Sequence, residues 1–332
     1  MGQLMRYSAA EKYEIIQIVE GSSLSVKQTL AELDVPRSTF YRWYERYQAE
    51  GYEGLEDRKP QARQFWNQIP QTVQEQVVQL ALEQPAKSPR ELAWHFTDTQ
   101  GYFISEASTY RILKRFDLIT SPAYVMTTAA DKFQHPTRRV HELWQTDFTY
   151  FKVIGWGWYY LSTVLDDYSR YIIAWKLTNS MSHQDVEATL DLALAATGLT
   201  QVQVRHRPRL LSDNGAAYVS KGLADYLKRH EIRHTRGAPY HPMTQGKIER
   251  YHRSLKNVIC LDNYYFPWEV EQAVAAFVEE YNHQRYHESL ENVTPADVFF
   301  GRQQTILHQR EVIKWQTLQQ RRQVNLQPLL SS

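Results

Sequence analysis

The chain has 332 residues, 42% of them hydrophobic, enough for two or three domains with real cores. No run approaches the ~18–20 apolar residues of a membrane helix, and Met1–Tyr13 lacks the apolar stretch of a signal peptide, so a cytoplasmic protein is expected. Cys260 is the single cysteine, which excludes a disulfide framework and a cysteine-based zinc site; the twelve His are scattered, and none is expected to bind metal. The net charge of +1 argues weakly against a nucleic-acid binder, but its distribution does not. Between Arg205 and Lys256 twelve cations face four anions, and the tail adds Arg302, Arg310, Lys314, Arg321 and Arg322 against Glu311. That basic half is where phosphates could be held, although a solvated basic surface would read the same way.

In chain order, Ala9–Glu20 carries Tyr13, Ile16 and Val19 on one helical face, and Gly21-Ser22-Ser23 ends it. Val26–Leu33 is a short helix, Asp34-Val35-Pro36 a turn, and Arg37–Tyr47 a third helix. This is the layout of a helix-turn-helix, whose last helix offers Arg37, Ser38, Thr39, Tyr41 and Arg42 to DNA; a plain three-helix bundle is the alternative. Gly51–Asn67 is polar and reads as a linker. A second helical unit follows: Val73–Leu82, then a helix opened by the capping box Ser88-Pro89-Arg90-Glu91, then a helix capped by Ser105. Gly101–Ile104 has the look of a short wing strand, and Thr109, Arg111 and Lys114 are expected on the exposed side of the last helix. Thr120–Arg139 is a connector.

Beyond it the periodicity turns to β. His141–Val153, Trp158–Leu165 and Tyr171–Leu177 are expected strands, with Asp166-Asp167-Tyr168-Ser169 as a turn rather than a ligand set. Trp156, Trp158, Tyr159 and Tyr160 could stack bases but are read chiefly as core beside the first strand. Helix Ser182–Ala196, strand Arg209–Ser212, helix Gly222–His230, strand Ile232–Thr235, the loop Gly237–Gly246 and helices Lys247–Cys260 and Pro267–His283 complete the pattern. A three-strand meander followed by helix–strand–helix–strand–helix is the order of an α/β RNase H-like core with a mixed five-stranded sheet. The expected domains are therefore a helix-turn-helix over 1–60, a second helix-turn-helix or winged-helix-like unit over 61–120, a connector over 121–139, the RNase H-like core over 140–300 and a basic tail over 301–332.

Three acids stand out by position. Asp147 lies inside an aromatic strand, where an uncompensated charge is costly; Asp213 ends a buried-looking strand; Glu249 opens a helix after the Gly/Pro loop. Singly, Asp213 in Asp-Asn-Gly is a common turn and Glu249 could pair with Arg253. Together they suit two-metal phosphoryl transfer, in which hard oxygen ligands hold two divalent ions roughly 3.5–4 Å apart.

Thirty-five residues separate Asp213 from Glu249. With that spacing, Trp144-x-x-Asp147-x-Thr149-Tyr150, Ser212-Asp213-Asn214-Gly215, His241-Pro242-x-x-Gln245-Gly246-Lys247-x-Glu249-Arg250 and Tyr281-Asn282-x-x-Arg285-x-His287 resemble the signatures of bacterial insertion-sequence transposases of the IS-three family, which share a DDE core with retroviral integrases. The resemblance covers about residues 8–300. It implies a transposase that binds terminal inverted repeats and performs strand cleavage and strand transfer, and it implies homo-oligomers on nucleoid DNA. By it, Asp147, Asp213 and Glu249 are the catalytic triad and hold two Mg ions, for which Mn would substitute. It also assigns DNA contact to Lys256, on the helical face shared by positions 249, 253 and 256; Arg253 joins it there. Asn214 and Lys247 are expected to orient phosphates or water. Gln245 stands where many relatives have Asn or Ser, and the N-terminal zinc module of retroviral integrases is absent. A DNA-binding regulator and a simple metal-dependent nuclease are the rival readings.

Overall fold

A computed structural model describes residues 7–56, 65–119, 137–199, 207–237 and 246–330. Most of the connector and the His241–Gln245 part of the third motif lie outside the described residues.

The chain divides into two compact units at Phe65/Trp66. In the first, α1 (Ala9–Gly21), α2 (Val26–Glu32) and α3 (Arg37–Glu50) enclose Ile15, Ile16, Val19, Leu30, Val35, Phe40 and Trp43. Ser8 and Glu11 form the capping box that starts α1. The segment read as linker begins otherwise: Gly51–Leu55 is a 3-10 turn, Leu55 is buried in this core, and its carbonyl accepts from the Lys12 ammonium at 3.0 Å. One apolar side chain was enough to draw a polar stretch inward.

The second unit starts with α4 (Gln71–Glu83), α5 (Pro89–Gln100) and α6 (Glu106–Arg115), packed around Val77, Leu92, Phe96, Ile104, Ile112 and Leu113. No wing strand forms at Gly101–Ile104. Its backbone is satisfied differently: Phe103 donates to Thr317 Oγ1 at 3.0 Å, and its carbonyl accepts from Arg321. Both partners come from the expected tail, which follows the short helix α11 (Pro295–Phe299) as the long helix α12 (Gln303–Leu330). Arg310 and Arg321 are accordingly not phosphate-facing. Arg310 is buried, makes a two-bond pair with Asp98 at 2.8 and 2.7 Å and lies over Trp94 at 4.6 Å. Arg321 donates to the Tyr102 hydroxyl at 2.8 Å.

The rest of the unit is an RNase H-like α/β core. Strands β1 (Leu143–Val153), β2 (Gly157–Asp166) and β3 (Ile172–Thr178) form the antiparallel meander, and β4 (Arg209–Ser212) and β5 (His234–Arg236) add in parallel to give the order β3-β2-β1-β4-β5. Helices α7 (His183–Ala196) and α8 (Lys221–Arg229) cover the face of Trp144, Val164 and Leu210. Helices α9 (Gly246–Ile259) and α10 (Pro267–His283) cover the face of Phe151, Val153, Leu161 and Leu165. The period-2 alternation of β1 is what divides its side chains between these two layers.

The Tyr-Asn-x-x-Arg-x-His signature proves to be a brace. Asn282 accepts from the Ile172 amide at 2.9 Å and donates to the Ile172 carbonyl at 3.0 Å, tying α10 to β3. His287 sets its ring edge against Tyr281 at 4.9 Å, with its Nε2 enclosed and unbonded among the described residues. Burial lowers the His287 pKa from 6.5 to about 3, and the neighbouring Arg285, Arg170 and Arg90 push the same way. As pH falls, the unfolded chain therefore takes up this proton first, so stability present above pH 6.5 is lost on the way to 3. His287→Gln should remove roughly 2–3 kcal/mol of the acid destabilisation between pH 7 and about pH 4, read from urea midpoints. An unchanged slope would clear His287 as its cause.

Candidate active site

The site grows out of one strand pairing. β1 and β4 run parallel with Gln145 opposite Leu211; the same offset carried two residues on, past the end of β4, brings Asp147 level with Asp213, and the Asp147 charge acts on Asp213. Neighbouring strands lie ~4.8 Å apart, so the two carboxylates meet at the end of the short β4. Partial burial raises the Asp213 pKa, the Gly215 amide opposes this, and the Asp147 charge adds to the rise, even though Asp213 remains solvent-accessible. The Gly215 N–H donates to Asp213 Oδ1 at 2.9 Å. A Cβ at Gly215 would lie 3.1 Å from that same oxygen, which explains the bare backbone in Asp-Asn-Gly.

Helix α9 supplies the third side. His252 is buried and brings Nδ1 to 3.4 Å from Asp147 Oδ2, while its Nε2 is enclosed and unbonded among the described residues. Glu249 is exposed one turn earlier, and i and i+3 share a helical face, so it stands on the side of α9 that meets Asp147. The structure thus pairs Asp147 with Asp213 but leaves Glu249 apart. Among the described residues no three His, Cys, Asp or Glu side chains are close enough to hold one ion.

The helix is pinned by an ion pair that sequence reading missed. Lys247 donates to Asp167 Oδ2 and to the Asp167 carbonyl, each at 2.8 Å, with the two side chains 12% and 5% exposed. Asp167 also accepts from Gln145 at 2.6 Å, and Gln145 in turn accepts from the Ile248 amide at 3.1 Å. Lys247 is thereby an anchor for α9, in place of the phosphate contact expected of it. Asp166 accepts from the Ser169 amide and hydroxyl and the His141 amide and so serves the turn, whereas Asp167 holds α9. Tyr218 is the other missed neighbour: burial pushes its phenol well up, and the charges of Asp147 and Asp213 add to this. The signal for His252 was present as Glu249-x-x-His252 on one helix face; nothing in the local sequence marked Tyr218.

The remaining expected contacts are spread out. On α3, Arg37, Ser38, Tyr41 and Arg42 are exposed and Thr39 is half-buried. On α6, Arg111 and Lys114 are exposed, but Thr109 is fully buried, because position 109 shares the inward face with Ile112 and Leu113. Asn214 donates to the carbonyl of Gly237, the residue that follows β5, at 2.8 Å. Arg253 is exposed, and the Lys256 ammonium sits 4.1 Å over the Tyr150 ring. Trp156 and Trp158 are 59% and 52% exposed, against the expectation of core, since they sit at the turn end of the β1–β2 hairpin.

With this geometry in place, residues 137–242 and 230–295 each match an integrase core domain. The chain carries an integrase core. Homeodomain-like domains match residues 6–56 and 39–113 ahead of it. Relatives of this integrase-core protein include the transposase InsK of insertion sequence element IS150 from Escherichia coli K12, 29% identical over 48% of this chain and 54% of InsK. The Gag-Pro-Pol polyprotein of squirrel monkey retrovirus is 32% identical over 35% of this chain but only 6% of the polyprotein. The chain thus spans a small part of the viral relatives and about half of the bacterial one. The HTLV-2 integrase catalytic core domain in complex with magnesium superposes with a TM-score of 0.38 at 18% identity, over 48% of this chain and 97% of that one.

The Lys247–Asp167 anchor makes a direct prediction. Lys247→Met strands a buried carboxylate, which should lower unfolding stability by about 3 kcal/mol in urea titration. A midpoint equal to wild type would show that α9 is held by its apolar face alone.

Proposed function

We propose that the integrase-core protein is a DDE transposase: it binds the terminal inverted repeats of an insertion sequence and cleaves and joins DNA strands at them. The observation that carries this reading is the Asp147–Asp213 juxtaposition across β1 and β4, with Glu249 on the facing side of α9. Two like charges held together, one of them protonated too readily for its type, are relieved by a cation, and their donors are the hard oxygens that magnesium prefers. Asp147, Asp213 and Glu249 would hold two divalent ions, magnesium or in its place manganese. Such ions supply a water nucleophile at neutral pH and stabilise the leaving oxygen.

The chain's own residues do the rest. His252 fixes the rotamer of Asp147. Gly215 fixes that of Asp213. Tyr218 stays protonated beside both, a donor rather than a further negative charge. Exposed Arg253 on α9 faces outward where phosphates pass, and exposed Arg37, Ser38, Tyr41 and Arg42 on α3, with Thr39 beside them, are placed for groove and backbone contacts. Arg111 and Lys114 offer the second helical unit a similar grip. End pairing requires two copies, so a homo-oligomer on DNA, working at the cytoplasmic chromosome, belongs to the proposal.

The test is cleavage and strand transfer on duplexes carrying the element's ends, with magnesium or manganese. Glu249→Gln should bind those ends as wild type does and lose on the order of 100-fold or more in cleavage rate. If wild type and variant bind equally and neither cuts with either metal, a DNA-binding regulator is the better account.

A further inference from the structure

The turn end of the β1–β2 hairpin carries more exposed aromatic surface than a strand pair needs. Tyr150 and Trp158 are each 52% exposed and meet edge to face, ring centroids 5.3 Å apart at 81°. Tyr150 pairs across the ladder with Tyr160 and Lys152 with Trp158, so these even-numbered positions share one face of the hairpin. The core layer under α7 takes Trp144 and Phe148 from that face of β1; Tyr150 and Lys152 lie beyond both. Gly155 and Gly157, at φ +83° and +97°, shape the turn that presents Trp156 and Trp158. The tip is held in place by the Ile154 amide, which donates to the Tyr264 carbonyl at 2.8 Å.

Cations surround these rings. Lys256 lies over Tyr150, Lys152 stands beside Trp158, and together with Asp262 they line a cavity of about 340 Å³. That volume is at the small end of ligand sites, the scale of a single nucleotide. The cavity also has a fixed relation to the acids. Tyr150 lies three positions beyond Asp147 on β1, at ~3.3 Å each though on the opposite face of the strand, and Lys256 lies seven positions beyond Glu249 on α9, at ~1.5 Å each. Both routes give about 10 Å, the rise of roughly three stacked nucleotides.

We propose that Tyr150 and Trp158 form a stacking subsite for an unpaired nucleobase of the bound DNA, with Lys152 and Lys256 facing the phosphates beside it; this rests on the DNA-processing reading above. Aromatic faces accept any base, cations over and beside them attract its backbone, and the Asp262 carboxylate can accept from an exocyclic amine. The consequence is a preference for DNA that is frayed or single-stranded next to the scissile position.

Because stacking is sequence-tolerant, the test needs no element sequence. The full chain is titrated with a fluorescent blunt duplex and with the same duplex bearing a three-nucleotide single-stranded flap. Wild type should bind the flap DNA on the order of ten-fold more tightly, Trp158→Ala should lose that preference, and Trp158→Phe should keep most of it. No preference in wild type, or one that survives in Trp158→Ala, overturns the subsite. So does a fall in oligomeric mass of Trp158→Ala without DNA, which would make the patch a contact between protein copies. Failure to cut element ends would sink the transposase reading instead, and would leave a flap preference measured in this way standing.

Discussion

Everything at the candidate site depends on the parallel pairing of β1 with β4. A short strand of four residues, Arg209–Ser212, is held against the end of a long one by three register pairs, and its next residue is an acid. The pairing sets two carboxylates side by side that solution chemistry would keep apart. The repulsion is tolerable only because the fold has already satisfied the backbone around them and because one side remains open to water and to cations. Slipping the register by one residue would turn Asp147 to the opposite face of the sheet and destroy the pair.

The third acid is delivered by a different device. Helix α9 does not pair with the sheet; it is pressed on it by Ile248, Tyr251, Leu255 and Ile259, and its start is fixed by the Lys247–Asp167 contact. Apolar packing gives the helix its face, and the ion pair gives it its position along the axis. Because Lys247 and Glu249 are two residues apart, they project to different sides: one inward to the turn acid, the other outward. Lys247, two residues before Glu249, is therefore structural, while exposed Arg253, one turn further along α9, carries charge outward.

A comparable division governs the C-terminal helix. A run of basic residues reads as a phosphate grip when only charge is counted, yet the pairing of Arg310 with Asp98 and of Arg321 with Tyr102 turns two of them inward. These contacts join α12 to the second helical unit and complete backbone bonds that a wing strand would otherwise have made. Charge in a sequence says how many cations there are; only packing says which of them are spent internally.

The sequence by itself determined most of the elements and their order, because periodicity, caps and turn residues act over a few neighbours and need no tertiary contact. It did not determine the helix of the tail, the 3-10 turn at Gly51–Leu55 or the missing wing strand. It also singled out the three acids, since a charge inside an aromatic strand or at the end of a buried one is locally anomalous. What only the tertiary structure decided is partnership. The inward turn of Thr109, the outward placement of Trp156 and Trp158, the pairing of Lys247 with a residue eighty positions away, and the approach of His252 and Tyr218 to the acids all depend on which element packs where. Such contacts are fixed by burial and charge satisfaction between segments distant in the chain, and no window of local sequence contains both members.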